Sequence, residues 1–137
     1  ILYYLHQYYV HTPIEYSQGW QYGYRELFSE ISKIEKNYDK VIVTYKYDQP
    51  YIFYLFYSKI DPAWYQKNWD YLGTGEIERS RRVIGKFEFK NIDFDSDSQT
   101  PNSLIIGTPS EIPVSRAIKE VKFLDGSVAF RIAESSN

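Results

Sequence analysis

The chain has 137 residues, enough for one domain with one core. Its formal net charge is −2 and its pI about 5.7, so there is no basic field to attract nucleic acid and no such partner is expected. It has no cysteine, which removes disulfides, thiolate metal sites and a cysteine nucleophile.

Aromatic residues make up 19% of the chain, with 15 tyrosines against 8 phenylalanines. Tyrosine buries a large ring while keeping a polar tip, so this bias suits a core with half-wet rims and interfaces. Methionine is absent and Ile1 stands first, so a piece of a longer protein is expected. Inside the chain the longest apolar run, Tyr51 to Tyr57, falls far short of the roughly 20 residues of a membrane span. The start differs. Ile1-Leu2-Tyr3-Tyr4-Leu5 and Tyr8-Tyr9-Val10 are apolar and tyrosine-rich, as chains are where they leave a bilayer. The alternative is an ordinary first helix or strand. Residues 1–11 are therefore set apart as a membrane-proximal segment, 12–134 as one domain and 135–137 as a tail. Ile1 to Val10 is expected to protrude, to be held by a neighbouring chain or to cover an apolar patch.

Thr12-Pro13-Ile14-Glu15 has the pattern of a capping box with proline at the first helical position. Trp20, Tyr24, Leu27, Phe28, Ile31 and Ile34 follow at spacings of three and four, which predicts one amphipathic helix from Thr12 onward. Asn37-Tyr38-Asp39 is a turn. Val41-Ile42-Val43-Thr44-Tyr45 reads as a strand buried on both faces. Pro50 opens a second helix whose residues Tyr51 to Tyr57 are apolar nearly all round, which predicts burial on most sides. Asp61-Pro62 caps a short third helix over Ala63 to Asn68. Tyr71 to Arg82 reads as a charged loop ended by Gly85. Phe87 and Phe89 alternate with charged residues, as in a half-buried strand. Asp93 to Asn102 reads as a mobile acidic surface loop, and Ser103 to Gly107 as a second buried strand. Pro109 and Pro113 discourage a long helix, leaving room for a short turn near Ser115 to Lys119. Asp125-Gly126 between two alternating runs predicts a C-terminal β-hairpin. The expected fold is a single α/β domain, a mixed sheet of about five strands with helices packed on it. The two apolar strands should lie at its centre.

Candidate chemistry is sparse. Asp93, Asp95 and Asp97 begin like a calcium loop, but Ser98 and Leu104 stand where glycine and glutamate are required. His6 and His11 make a poor metal pair, so neither metal nor other cofactor is expected. Ser127 belongs to the hairpin rather than to a nucleophile elbow. Gly73 and Gly75 do not open a helix after a strand, as a dinucleotide loop would. Glu88, Asp93 and Asp95 read as surface acids. One aromatic group fits a ligand: Trp64, Tyr65, Trp69 and Tyr71 lie close together with Asn68 and Asp70. Rings flanked by amides and carboxylates suit a glycan, and a core or interface cluster is the plainer alternative.

Tyr8 to Ser17 and Trp20 to Tyr24 resemble the segment after the last membrane helix in a group of prokaryotic glycosyltransferases similar to the dolichyl-phosphate-mannose-protein mannosyltransferases. The resemblance runs on through Val41 to Thr44, Gln49 to Ile52, Leu55 to Tyr57, Asp61-Pro62, Gly85 to Phe89, Ile106 to Pro109 and Phe123 to Ile132. It implies a soluble domain on the extracytoplasmic face of a multi-spanning enzyme that uses a polyprenyl-phosphate sugar. The catalytic acids of that family lie in an early loop between membrane helices. No catalytic residue can therefore be assigned here, and the domain is expected to be non-catalytic. Its expected partner is the membrane-spanning region of the same parent, with a glycan or polyprenyl-linked sugar as a ligand to be positioned. A stand-alone glycan-binding or protein-interaction module is the alternative from another class.

Overall fold

The computed structural model describes residues 1–68 and 81–136. Among these residues six strands form one sheet: β1 (Lys40–Thr44), β2 (Arg81–Ile84), β3 (Phe87–Lys90), β4 (Ser103–Gly107), β5 (Ala117–Lys122) and β6 (Val128–Glu134), in the order β2-β3-β1-β4-β6-β5. β1 is parallel to both neighbours, pairing Val43 with Phe89 on one side and with Ile106 on the other. The remaining pairs are antiparallel. The fold is α/β with a mixed sheet, and β1 and β4 are central, as their β-branched runs predict.

Period-two alternation sorts those runs between two layers. Val41, Val43, Leu104, Ile106, Phe87 and Phe89 join the larger core. Ile42 and Ile105 face the other way and pack with Ile112 and Ala133. The larger core is capped by the helix Tyr24–Ile34, which buries Tyr24, Leu27, Phe28 and Ile31 at helical spacing.

That helix begins at Tyr24, not at Thr12. Gly23 precedes it with φ +105°, a conformation that glycine adopts without steric cost. Turns between Tyr16 and Gly23 break the path, so Trp20 falls out of the stripe and is 73% exposed. Thr12 is not a cap either. Leu2–His6, Gln7–His11 and Thr12–Glu15 follow one another with helical backbone, the middle segment being a wide π turn. The Thr12 hydroxyl and N–H both donate to the Gln7 carbonyl. Pro13 explains the widening: it has no N–H to donate, and its ring crowds the carbonyl four residues back.

Three further expectations need correction. The helix Pro50–Tyr57 buries only Pro50 and Tyr51, leaving Ile52, Phe56 and Tyr57 exposed. Its inner face packs on the core through Phe53, Tyr54 and Leu55. Arg81 and Arg82 belong to β2, the strand beyond the expected five, and not to a loop. Arg82 is buried, lying 4.0 Å over the Tyr51 ring, where a stacked guanidinium substitutes for an apolar strand residue. The segment after Asp93 is not a solvated loop. Phe94–Asp97 forms a helical turn, Phe94 packs on the smaller core layer, and Asp97 is buried with its carboxylate paired to Lys90. The hairpin is as expected, with Gly126 at φ +87° and the Phe123 N–H donating to the Ser127 carbonyl at 2.8 Å. The short turn is the 3-10 segment Val114–Arg116, after which β5 starts at Ala117.

Gly107 closes β4 against the loop that follows it. A Cβ there would stand 2.9 Å from Ile112 Cγ1 and 3.0 Å from its Cδ1, and Ile112 is fully buried. Gly107→Ala is expected to destabilise the protein by about 1–3 kcal/mol, the usual range for an overpacked core. Urea unfolding measures it, and an unchanged midpoint would show that Ile112 can move aside.

Candidate functional site

The aromatic group singled out from sequence sits on the helix Pro62–Lys67. Asp61 caps it, accepting from the Ala63 N–H at 2.9 Å, and Pro62 fills the first turn. Neighbouring positions then point apart. Trp64 is exposed, while Tyr65 turns toward the core and its hydroxyl accepts from Arg82 Nη1 at 2.8 Å. Burial pushes the Tyr65 phenol above its ordinary pKa. Asn68 Nδ2 donates to the Trp64 carbonyl at 2.7 Å, so its amide closes the helix end. Trp69 and Tyr71 lie outside the described residues, as do Gly73 and Gly75. The described part of the group thus divides into an exposed ring, a packed ring and a helix stop. Tyr65 also borders an apolar groove of about 440 Å³ with Tyr51, Leu55, Phe56 and Pro62.

A second concavity, of about 310 Å³, lies at the foot of the N-terminal helix. The helix supplies Tyr8, Tyr9, Thr12 and Pro13. The turns after it supply Ser17, Trp20 and Tyr22, and Leu124 reaches in from the hairpin. Ser17 is buried, and among the described residues its Oγ has no hydrogen-bond partner. Tyr22 donates to Glu26 at 3.3 Å, and that carboxylate, before burial, pushes the phenol's pKa up. Sequence reading missed this pocket because Trp20 fits the helical spacing. Gly19 and Gly23 on either side of it are the signal of a turn that was there to be used.

The carboxyl ends of parallel strands are where open α/β sheets usually hold ligands. At the ends of β1 and β4 the chain's own side chains meet. Glu111 accepts from Thr44 Oγ1 at 2.9 Å and from the N–H and Oγ1 of Thr108, both at 2.8 Å. Arg131 Nη1 holds the same loop by donating to the carbonyls of Pro109 and Ile112. Both Glu111 oxygens are thereby committed to anchoring the loop, which is a structural arrangement.

Glu88 is no surface acid. It is 3% exposed on β3 and pairs with Lys40 of β1 and with Arg81 of β2, the latter at 2.6 Å. Desolvation pushes its pKa up, but the hydrogen bonds from Lys40 and Arg81 outweigh that and hold it below the ordinary value. The three side chains tie three strands together. A carboxyl with a depressed folded pKa stabilises above its unfolded value and loses that contribution as pH falls through the folded one. The midpoint of thermal unfolding should therefore drop as pH falls below about 4, near the unfolded glutamate value, and part of the drop should vanish in Glu88→Gln. Identical acid profiles for the two proteins would remove Glu88 from this role. Glu30, half-buried, shifts the same way, held down to about 2 by hydrogen bonds from Lys119 and then Lys33. It contributes a background that Glu88→Gln leaves in place.

Among the described residues no three histidine, aspartate or glutamate side chains gather to hold a metal ion. Comparisons of the chain with protein-family models, with curated proteins and with solved structures find no match.

Proposed function

We propose that this chain is the extracytoplasmic accessory domain of a membrane-embedded glycosyltransferase that uses a polyprenyl-phosphate sugar. It contributes no catalytic residue and positions acceptor or donor over the membrane part. The observation that carries the membrane setting is the helix over residues 2–15. It has no buried residue, and Leu2, Tyr3, Tyr4, Leu5, Tyr8, Tyr9 and Val10 are all exposed. Leu2, Tyr3, Tyr4 and Leu5 point in four directions at the roughly 100° step of a helix. No Asp, Glu, Lys or Arg occurs before Glu15. A groove on a partner protein covers one face of a helix; an apolar circumference calls for surroundings on every side. Tyrosines at this density suit the headgroup level.

No helix among the described residues is long and apolar enough to cross a membrane. The N-terminal helix is read as the segment by which the chain leaves the bilayer. The enzyme class rests on the resemblance carried by residues from Tyr8 to Ile132. The Glu111 and Glu88 arrangements support a non-catalytic role, since both carboxylates are tied up in structural contacts. The coding sequence ahead of Ile1 tests the assignment. A multi-spanning region with acidic residues in an early loop is expected there, and a soluble or absent upstream region would overturn it.

A further inference from the structure

We propose that the pocket at the foot of the N-terminal helix binds a neutral carbohydrate, with Trp20 as the platform for a sugar ring. Its volume, about 310 Å³, lies at the low end for small-molecule sites and suits one or two pyranose rings. The lining combines ring faces with five hydroxyl-bearing side chains: Tyr8, Tyr9, Thr12, Ser17 and Tyr22. Among the described residues no charged side chain lines it. A pyranose has the matching character, with a C–H face to lay on an aromatic ring and hydroxyls around its edge. Phosphorylated or acidic sugars would enter without a cation to meet them.

Two observations point to a ligand rather than to a surface dimple. Trp20, the largest apolar side chain available, is 73% exposed beside the pocket instead of joining the core. Ser17 lines the pocket and is 1% exposed, yet its Oγ has no partner among the described residues. Buried hydroxyls are nearly always paired, and this orphan, unlike one inside the core, borders a pocket open to a bound group. A hydrocarbon chain would fill the apolar part but would leave that oxygen unsatisfied. A sugar hydroxyl can satisfy it. This site is separate from the Trp64 group and does not require the membrane setting.

The test uses the chain with Trp64 and Trp69 changed to phenylalanine, so that Trp20 is the sole tryptophan. It is titrated with maltose, cellobiose and mannobiose, then with a digalacturonate and with decanoate. A saturable change in Trp20 emission with a neutral disaccharide, and none with the uronate, is expected. Saturation-transfer NMR on the otherwise unaltered chain should show binding weakened about tenfold in Trp20→Ala, the scale of one lost ring contact. Ser17→Ala should also weaken it, and since it removes an unpartnered hydroxyl it leaves folding intact. Trp64→Ala should change nothing. Silence toward all three neutral sugars, a response to decanoate alone, or binding indifferent to Trp20→Ala and Ser17→Ala would overturn the proposal. Sugar binding by a chain that ignores vesicles would keep this site and remove the membrane setting. Vesicle binding without sugar binding would do the reverse.

Discussion

Tyr24→Ala is expected to lower the unfolding free energy by about 3–5 kcal/mol, the cost of truncating a fully buried aromatic. Tyr24 is 1% exposed at the first position of the core helix. Its ring stacks on Phe53 with centroids 4.3 Å apart, on Phe28 at 6.0 Å, and meets Phe130 at 5.0 Å. One side chain therefore joins the core helix, the helix Pro50–Tyr57 and β6. Tyr24→Phe should behave in the opposite sense. The hydroxyl is buried without a hydrogen-bond partner among the described residues, and burial, then the neighbouring Tyr47, pushes its pKa upward, so it stays neutral. Removing it keeps every ring contact and relieves an unsatisfied group, so a gain of about 1 kcal/mol is expected. Urea unfolding of the two variants gives both signs. A phenylalanine variant less stable than the parent would mean that the hydroxyl has a partner in solution, such as a buried water.

These residues also show what could be read from sequence. Val41 to Val43 and Leu104 to Ile106 are β-branched or long aliphatic runs with no polar interruption. Such runs have few places to go except the middle of a sheet, and that is where they lie. Asp125-Gly126 and Asp61-Pro62 were equally readable, because turn and cap chemistry is local. The errors arose where a distant partner decides the outcome. Arg82 looks solvated until Tyr51 and Tyr65 supply a place to stack. Asp97 looks solvated until Lys90 pairs with it, and Glu88 until Lys40 and Arg81 do. Phe56 looks buried by composition, yet its face of the helix has no described partner layer. Trp20 fits a helical spacing by coincidence, and its pocket depends on Leu124, more than a hundred residues away in the chain. Of the proposed glycan group, the capped helix carrying Trp64, Tyr65 and Asn68 was legible. The opposite orientations of Trp64 and Tyr65 were not, since a cluster in sequence says nothing about which face is in.

Removing Ile1 to Val10 should separate the fold from its membrane setting. None of these residues is buried, so the shortened chain is expected to unfold within a few degrees of the parent, a difference below about 1 kcal/mol. Membrane association should change far more. With no lysine or arginine in the segment, attraction to anionic lipid is not the driving force. Binding should instead follow burial of apolar and tyrosine surface, and so be insensitive to salt. Flotation on neutral phosphatidylcholine vesicles, run with the full chain and with the chain lacking Ile1 to Val10, addresses this directly. The full chain should rise with the vesicles at low and high salt alike, and the shortened chain should stay at the bottom, folded. A full chain that stays at the bottom, or a shortened chain that floats equally well, would contradict a domain seated on a bilayer through its N-terminal helix.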